Sequence, residues 1–202
     1  PEYVIAYLAT VSLGAIAVPV NLGLTAAGLA VQFDTVKARL LVVSPDLWAD
    51  KLEAVRARLP SVQTVFMTDD QAATGTLPFA VPSRAGGEDA VLEPLAEWDL
   101  CAISFTSGTT GVPKGTMVMH INATGCARNI VHAAQGLGVD DINICMPPLF
   151  HNTAGYTNFM PALLTGGKCV VMSAFAPRDA IRLIERERVT WAVAAPIMLW
   201  MM

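Results

Sequence analysis

Residues 104–115 read SFTSGTTGVPKG, a stretch in which glycines and hydroxyl side chains precede a single lysine. Glycine allows backbone N–H groups to approach a ligand closely, and successive exposed N–H groups form an anion-binding nest. Lys114 adds a positive charge near the end of the stretch. Further hydrogen-bond donors are available from the hydroxyl groups of Thr106, Ser107, Thr109 and Thr110. Together these groups predict a loop that binds phosphate.

The stretch does not match the Walker A pattern, in which Gly-Lys-Ser/Thr opens a helix. Lys114 is preceded by Pro113 and followed by Gly115. Pro113 has no N–H group to offer a phosphate, and residues 115–120 have the apolar pattern of a strand. We therefore expect the loop to join two strands. A plain Gly/Thr hairpin turn without a ligand remains the alternative.

The composition narrows the class of protein. The chain has 202 residues, of which 53% are hydrophobic and 15% are charged, and its formal net charge is −4. A chain of this length and hydrophobicity can bury a sizeable core and is not disordered. The absence of basic excess argues against a nucleic-acid partner. The four cysteines form no CxxC pair and are expected to be reduced, and His120 and His132 lack metal-ligand spacing.

The N-terminal region raises the question of a membrane span, because residues 3–33 contain no charged side chain. Pro19 and Asn21 lie within that run, where a membrane helix would break or bury an unpaired amide. The run instead predicts a buried helix followed by a strand at residues 15–21. We expect no transmembrane segment and a cytoplasmic protein, with membrane association through this run as a remaining alternative. The oligomeric state is not predicted.

Helical and strand-like patterns alternate along the chain. This order predicts an α/β fold with mostly parallel sheets flanked by helices. Residues 69–99 have no periodicity and predict a surface loop. The expected helices cover residues 25–38, 46–59, 121–138, 152–167 and 177–188. The expected strands cover residues 39–45, 64–68, 100–106, 115–120, 142–150, 168–173 and 190–196.

A family resemblance follows from two motifs. FTSGTTGVPKG (105–115) resembles the phosphate-binding signature of the adenylate-forming, or AMP-binding, superfamily, and MPPLFH (146–151) resembles its second shared motif. The similarity extends over nearly the whole chain and is weakest at residues 69–99. Ser107-Gly108-Thr109-Thr110-Gly111 and Phe150-His151 are more similar to acyl-CoA synthetases of fatty or aryl acids than to peptide-synthetase adenylation domains, which remain an alternative.

The resemblance implies that residues 1–202 are part of the N-terminal domain of such an enzyme, without its C-terminal domain, and inactive alone. The implied reaction joins a carboxylic acid to coenzyme A through an acyl-adenylate, at the expense of ATP. Thr106 would help bind Mg²⁺, Lys114 would hold the β- and γ-phosphates, and His151 would border the acyl-adenylate. The implied nucleotide-binding residues are Thr106, Ser107, Gly108, Thr109, Thr110, Gly111 and Lys114.

The sequence leaves more than one role open for several residues. His151 could be a core or helix-capping histidine rather than a catalytic one. Phe150, Tyr156 and Phe159 could line an acyl pocket or belong to the core. Residues 147–164 contain no lysine or arginine, which favours an apolar acyl or aryl acid over an amino acid or a dicarboxylate. A protein of another class, a non-catalytic phosphate-binding module, is also compatible with the sequence.

Overall fold

The computed structural model describes residues 1–69, 73–79, 92, 94–106 and 113–202. The chain divides into two compact units. Unit 1 comprises Pro1–Pro94 with Phe105–Lys114, and unit 2 comprises Leu95–Ser104 with Gly115–Met202. No helix in the described ranges is both long and apolar enough to cross a membrane.

Unit 1 is built around a three-stranded parallel sheet. Its strands are β1 (Leu40–Val43), β2 (Thr64–Met67) and β3 (Leu77–Pro78), in the order β1-β2-β3. Helix α1 covers Glu2–Ser12, and α2 (Ala26–Thr35) begins after Thr25, whose Oγ1 accepts a hydrogen bond from the Gly28 N–H at 3.2 Å. This cap confirms the predicted helix start. The core includes Leu29 and Phe33 of α2.

The predicted amphipathic helix at residues 46–59 is irregular. It consists of a short α3 (Pro45–Leu47), a π-helical turn (Trp48–Leu52) and a 3₁₀ segment (Glu53–Arg58). Lys51 Nζ donates to the carbonyl oxygens of Leu22 and Leu24 at 2.6 and 3.0 Å. These contacts fix the π-helical turn against a distant loop, while Trp48 and Leu52 are buried in the core.

Three sequence expectations are wrong. Helix α1 contains no buried residue, although its largely apolar sequence predicted a buried helix. Residues 15–21 form only one isolated bridge, at Ala17, because Pro19 cannot donate to a ladder. Residues 190–196 form a single parallel bridge, between Trp191 and Asn143.

The surface loop predicted at residues 69–99 contains β3, and part of that range lies outside the described residues.

Unit 2 alternates helices and strands. Strand β4 covers Leu100–Thr106 and β5 covers Lys114–Met119, with Thr106 and Lys114 themselves assigned to unit 1. The elements that follow are α4 (His120–Ala133), β6 (Ile142–Cys145), α5 (Asn152–Ala154), a π-helical turn (Gly155–Phe159), α6 (Met160–Thr165), β7 (Lys168–Val171), α7 (Pro177–Glu187) and α8 (Pro196–Met201).

Parallel pairing dominates the described strands, as the sequence predicts. Strands β6 and β7 pair in parallel from Ile142 with Lys168 to Cys145 with Val171. Ile144 and Met146 form a second core with Ala180 of α7. The exception is the pair β4–β5, which forms a separate two-stranded sheet. The fold is therefore α/β with mostly parallel sheets.

Candidate functional site

The two ends of the glycine-rich stretch lie at adjacent strand ends. Thr106 is the last residue of β4 and Lys114 is the first residue of β5, and both are exposed. Thr106 Oγ1 lies 3.5 Å from the Lys114 carbonyl oxygen, at the long limit for a hydrogen bond. Cys101 Sγ lies 3.3 Å from the Val118 carbonyl oxygen, so the contacts run in opposite sequence order, as in a hairpin. The prediction that a strand lies on each side of the glycine-rich stretch is confirmed.

The central residues of the loop, Ser107, Gly108, Thr109, Thr110 and Gly111, lie outside the described residues. Their proposed contacts with phosphate remain predictions from the sequence. The observed strand ends exclude one alternative, since a Walker A loop opens a helix and β5 follows this one.

Lys114 has a free ammonium group in the described part of the chain. None of the ion pairs formed there includes Lys114. By contrast Lys168, the first residue of another strand, pairs with Glu187 at 2.6 Å. The charge of Lys114 is therefore not neutralised by a described carboxylate and is available to an anion.

His151 lies at the N-cap position of α5 and is exposed, so the core reading is wrong. Its side chain makes no capping hydrogen bond. Its carbonyl oxygen accepts hydrogen bonds from the N–H groups of Ala154 and Gly155 at 3.0 and 3.1 Å. The imidazole lies against the Phe150 ring, with a centroid distance of 4.5 Å and an interplanar angle of 36°. The backbone is thus fixed, while the ring nitrogens have no described hydrogen-bond partner.

A hydrogen bond next to His151 was not predicted. Ser104 Oγ donates to Asn152 Oδ1 at 2.8 Å, and Ser104 is buried within β4. A serine inside the apolar strand LCAISFT was the only sequence signal, and it did not identify the partner 48 residues away.

A buried amide network below the same turn was also missed. Asn158 is completely buried and uses both amide atoms twice. Its Nδ2 donates to the carbonyl oxygens of Thr153 (3.0 Å) and Val193 (2.8 Å). Its Oδ1 accepts from the Val193 N–H (3.0 Å) and from Asn143 Nδ2 (3.1 Å). Because the side chain of Asn158 pairs with both backbone groups of Val193, that residue has no need of a strand partner, which explains the missing strand at residues 190–196.

The aromatic side chains divide between the core and the surface. Tyr156 is buried, which favours the core reading for this residue, whereas Phe150 and Phe159 are half-buried. Trp48 packs in the core of unit 1, as expected for a packing residue. Trp200 of α8 is 88% exposed.

All four cysteines are free, as predicted. Burial raises the pKa of the Cys145 thiol to about 12 and that of Cys169 to about 11. Both thiols are therefore protonated at neutral pH and are poor nucleophiles and metal ligands. No group of three or more His, Cys, Asp or Glu residues suited to a metal ion occurs among the described residues.

The sequence of this chain is similar to the sequences of known enzymes. Residues 1–202 match the family described as AMP-binding enzyme. A CoA ligase of Mycobacterium tuberculosis, named for a methyl-dioxo-octahydroindenyl propanoyl group, is 34% identical over 94% of this chain. A 4-coumarate–CoA ligase of Oryza sativa subsp. japonica is 30% identical over 96% of the chain. The chain spans 38% and 37% of the lengths of these two relatives.

A solved structure shows the same fold. The anthranilate CoA ligase AuaEII, crystallised in complex with anthranoyl-AMP, superposes on 98% of this chain with a TM-score of 0.88 and 25% identity. The chain covers 38% of that structure. With the family match over residues 1–202, these likenesses show that the chain belongs to the AMP-binding enzymes, with CoA ligases among its relatives.

Proposed function

We propose that this chain is the part of an ATP-dependent carboxylate–CoA ligase that binds the ATP phosphates and borders the acyl group. The observation that carries the proposal is that β4 ends and β5 begins on either side of the glycine-rich stretch, with the exposed Lys114 paired to no described carboxylate. The complete protein's reaction would be adenylation of a carboxylic acid, followed by transfer of the acyl group to coenzyme A. The CoA ligases among the relatives support this reaction class.

In the first step, a carboxylate oxygen attacks the α-phosphorus of ATP, and the bond from that phosphorus to the bridging oxygen of pyrophosphate breaks. No protein nucleophile is needed, so catalysis depends on positioning and on stabilising negative charge that accumulates on the leaving pyrophosphate. Lys114 and the hydroxyl groups of Ser107, Thr109 and Thr110 would supply that stabilisation. Backbone N–H groups near Gly108 and Gly111 would complete the cradle.

In the second step, the thiol of coenzyme A gives its proton to solvent, the thiolate sulfur attacks the acyl carbonyl carbon, and AMP leaves with the electrons of the broken C–O bond. His151 would border the acyl carbon in both steps. Its exposed imidazole and fixed backbone suit a group that contacts substrate rather than one that packs in the core.

Magnesium fits the site as a partner of ATP. Mg²⁺ is usually held by few protein oxygens together with substrate phosphates, and it retains several waters. The exposed hydroxyl of Thr106, at the strand end beside Lys114, is an oxygen ligand of this kind. When bound, the ion would neutralise phosphate charge.

The acid is proposed to be an apolar acyl or aryl acid rather than an amino acid or a dicarboxylate. Residues 147–164 contain no lysine or arginine that would pair a second carboxylate. Phe150 and Phe159 are only half-buried and remain candidates to contact an acyl group, whereas the buried Tyr156 supports them from the core. The relatives named for 4-coumarate and anthranilate act on aromatic acids, which supports this class.

The experiment is pyrophosphate–ATP exchange by the complete protein with cinnamic-type, benzoic-type, fatty and amino acids in parallel. We expect exchange with aryl or fatty acids and, after addition of coenzyme A, formation of the thioester. Exchange with amino acids alone would instead indicate a peptide-synthetase-type adenylation domain. Phosphate binding without exchange for any acid would indicate a non-catalytic module and would refute the proposal.

A further inference from the structure

The starting observation is a buried hydroxyl in strand β4. Ser104 is only 5% exposed, in the same strand as the buried Cys101 and Ala102. A buried hydroxyl is costly unless it is hydrogen-bonded. Its described partner is the side chain of Asn152, at 2.8 Å and 48 residues away. This contact joins β4 to the residue that directly follows His151.

A second anchor acts on the next residue. The carbonyl oxygen of Thr153 accepts a hydrogen bond from Nδ2 of the completely buried Asn158, at 3.0 Å. The His151 carbonyl oxygen itself is held by the N–H groups of Ala154 and Gly155. The turn after His151 is therefore fixed at three successive residues, although its imidazole bonds to no described residue.

We propose that Ser104 and Asn152 form a positioning pair that fixes the backbone of His151 and thereby the approach of its imidazole to the acyl group. The inference rests on the proposed function, in which His151 contacts substrate. A site on a short helical turn needs such support, because misplacement of a catalytic group by about 1 Å can reduce the rate on the order of 10²-fold. Neither Ser104 nor Asn152 needs to touch substrate for this role.

The activity test uses Ser104→Ala and Asn152→Ala in the complete protein, with Ser104→Thr as the conservative variant. Loss of one neutral hydrogen bond should lower kcat/KM for the acid by about 3- to 10-fold and leave the KM for ATP unchanged. Threonine retains the hydroxyl and should restore most of the loss. In a His151→Ala background, Ser104→Ala should cause no additional loss, because its effect acts through His151. A further loss of similar size in that background would overturn the proposal.

The control variant is Thr190→Val, which removes other side-chain hydrogen bonds of unit 2: Thr190 Oγ1 donates to Asp141 Oδ1 at 2.8 Å and accepts from the Ile142 N–H at 3.0 Å. It should leave kcat/KM for the acid unchanged. A loss equal to that of Ser104→Ala would show that any weakening of unit 2 reduces activity, and it would contradict a specific positioning role.

A readout without activity keeps the two proposals distinguishable. Hydrogen exchange at the amides of Ala154 and Gly155, which bond to the His151 carbonyl oxygen, should accelerate about 3- to 10-fold in Ser104→Ala but not in Thr190→Val. Unchanged exchange in Ser104→Ala would overturn the positioning pair even in an active enzyme. If the wild-type protein supports no pyrophosphate exchange, the proposed function fails, and the amide exchange alone decides whether the pair holds His151.

Discussion

Asn158→Ala tests the buried network that supports the turn after His151. The substitution removes four hydrogen bonds, but the consequences for the partners differ. The Thr153 carbonyl oxygen keeps the Thr157 hydroxyl at 2.6 Å, and Asn143 Nδ2 keeps the Trp191 carbonyl oxygen at 3.4 Å. The N–H and C=O groups of residue 193 both lose their described partner.

The expected loss of unfolding free energy follows from the N–H and C=O groups of Val193. Each buried polar group left without a partner costs about 1–3 kcal/mol, which gives about 2–6 kcal/mol for the pair. Val193 is half-buried, so water can reach part of it. We therefore expect Asn158→Ala to lower the free energy of unfolding of unit 2 by about 2–4 kcal/mol. Amide exchange at residue 193 should accelerate at least in proportion, because its N–H donates directly to the removed side chain.

The assay is chemical denaturation combined with hydrogen exchange, with Asn122→Ala as the matched control. Asn122 makes one exposed hydrogen bond, from the Met119 N–H at 3.0 Å, so its loss should cost about 0.5–1 kcal/mol. If Asn158→Ala destabilises the protein no more than Asn122→Ala, the network does not stabilise the turn and the reasoning fails.

Three further predictions concern thiols, acid stability and the loop. Because burial raises their pKa, Cys145 and Cys169 should resist alkylation at pH 8 in the native protein and react only after unfolding, as peptide mapping would show. Hydrogen bonds from the Gly138 N–H and the Thr190 hydroxyl lower the pKa of Asp141 in the folded protein below the ordinary value of 3.8. The ionised Asp141 therefore stabilises the fold above pH 3.8, and this contribution is lost as the pH falls from 3.8 through the lower folded pKa. Asp141→Asn should therefore flatten the acid end of the stability curve. Gly108→Val and Gly111→Val should abolish ATP binding in calorimetry without changing the melting temperature; a loss of fold would indicate packing roles instead.

Local signals in the sequence predicted much of the fold. The apolar run 100–106 corresponds to β4 residue for residue, and Pro177 marks the start of α7. The hydroxyl of Thr25 identified a helix start. These features depend on neighbours within one or two turns of chain, where propensity and capping dominate.

The features that the sequence did not predict depend on contacts between residues that are far apart in the chain. Ser104 and Asn152 are 48 positions apart, and Asn158 and Val193 are 35 apart, so no periodicity connects them. The contact between Asn158 and Val193 explains the wrong strand at residues 190–196, since the side-chain amide takes the hydrogen bonds that a neighbouring strand would have made. The burial of α1 was overestimated for a related reason: an apolar sequence does not show which face finds a partner.

The central claim is that Lys114 stabilises the departing pyrophosphate, and its most direct test is pyrophosphate–ATP exchange by Lys114→Ala in the complete protein. Lys168→Ala is the control, because Lys168 also begins a strand and is exposed but pairs with Glu187. Removal of one such donor typically costs about 10²–10³ in rate. We predict that Lys114→Ala slows pyrophosphate–ATP exchange by this factor and binds the acid almost as well as the wild-type protein does. Lys168→Ala should exchange at the wild-type rate. Normal exchange by Lys114→Ala together with a large rise in the KM for the acid would contradict the account.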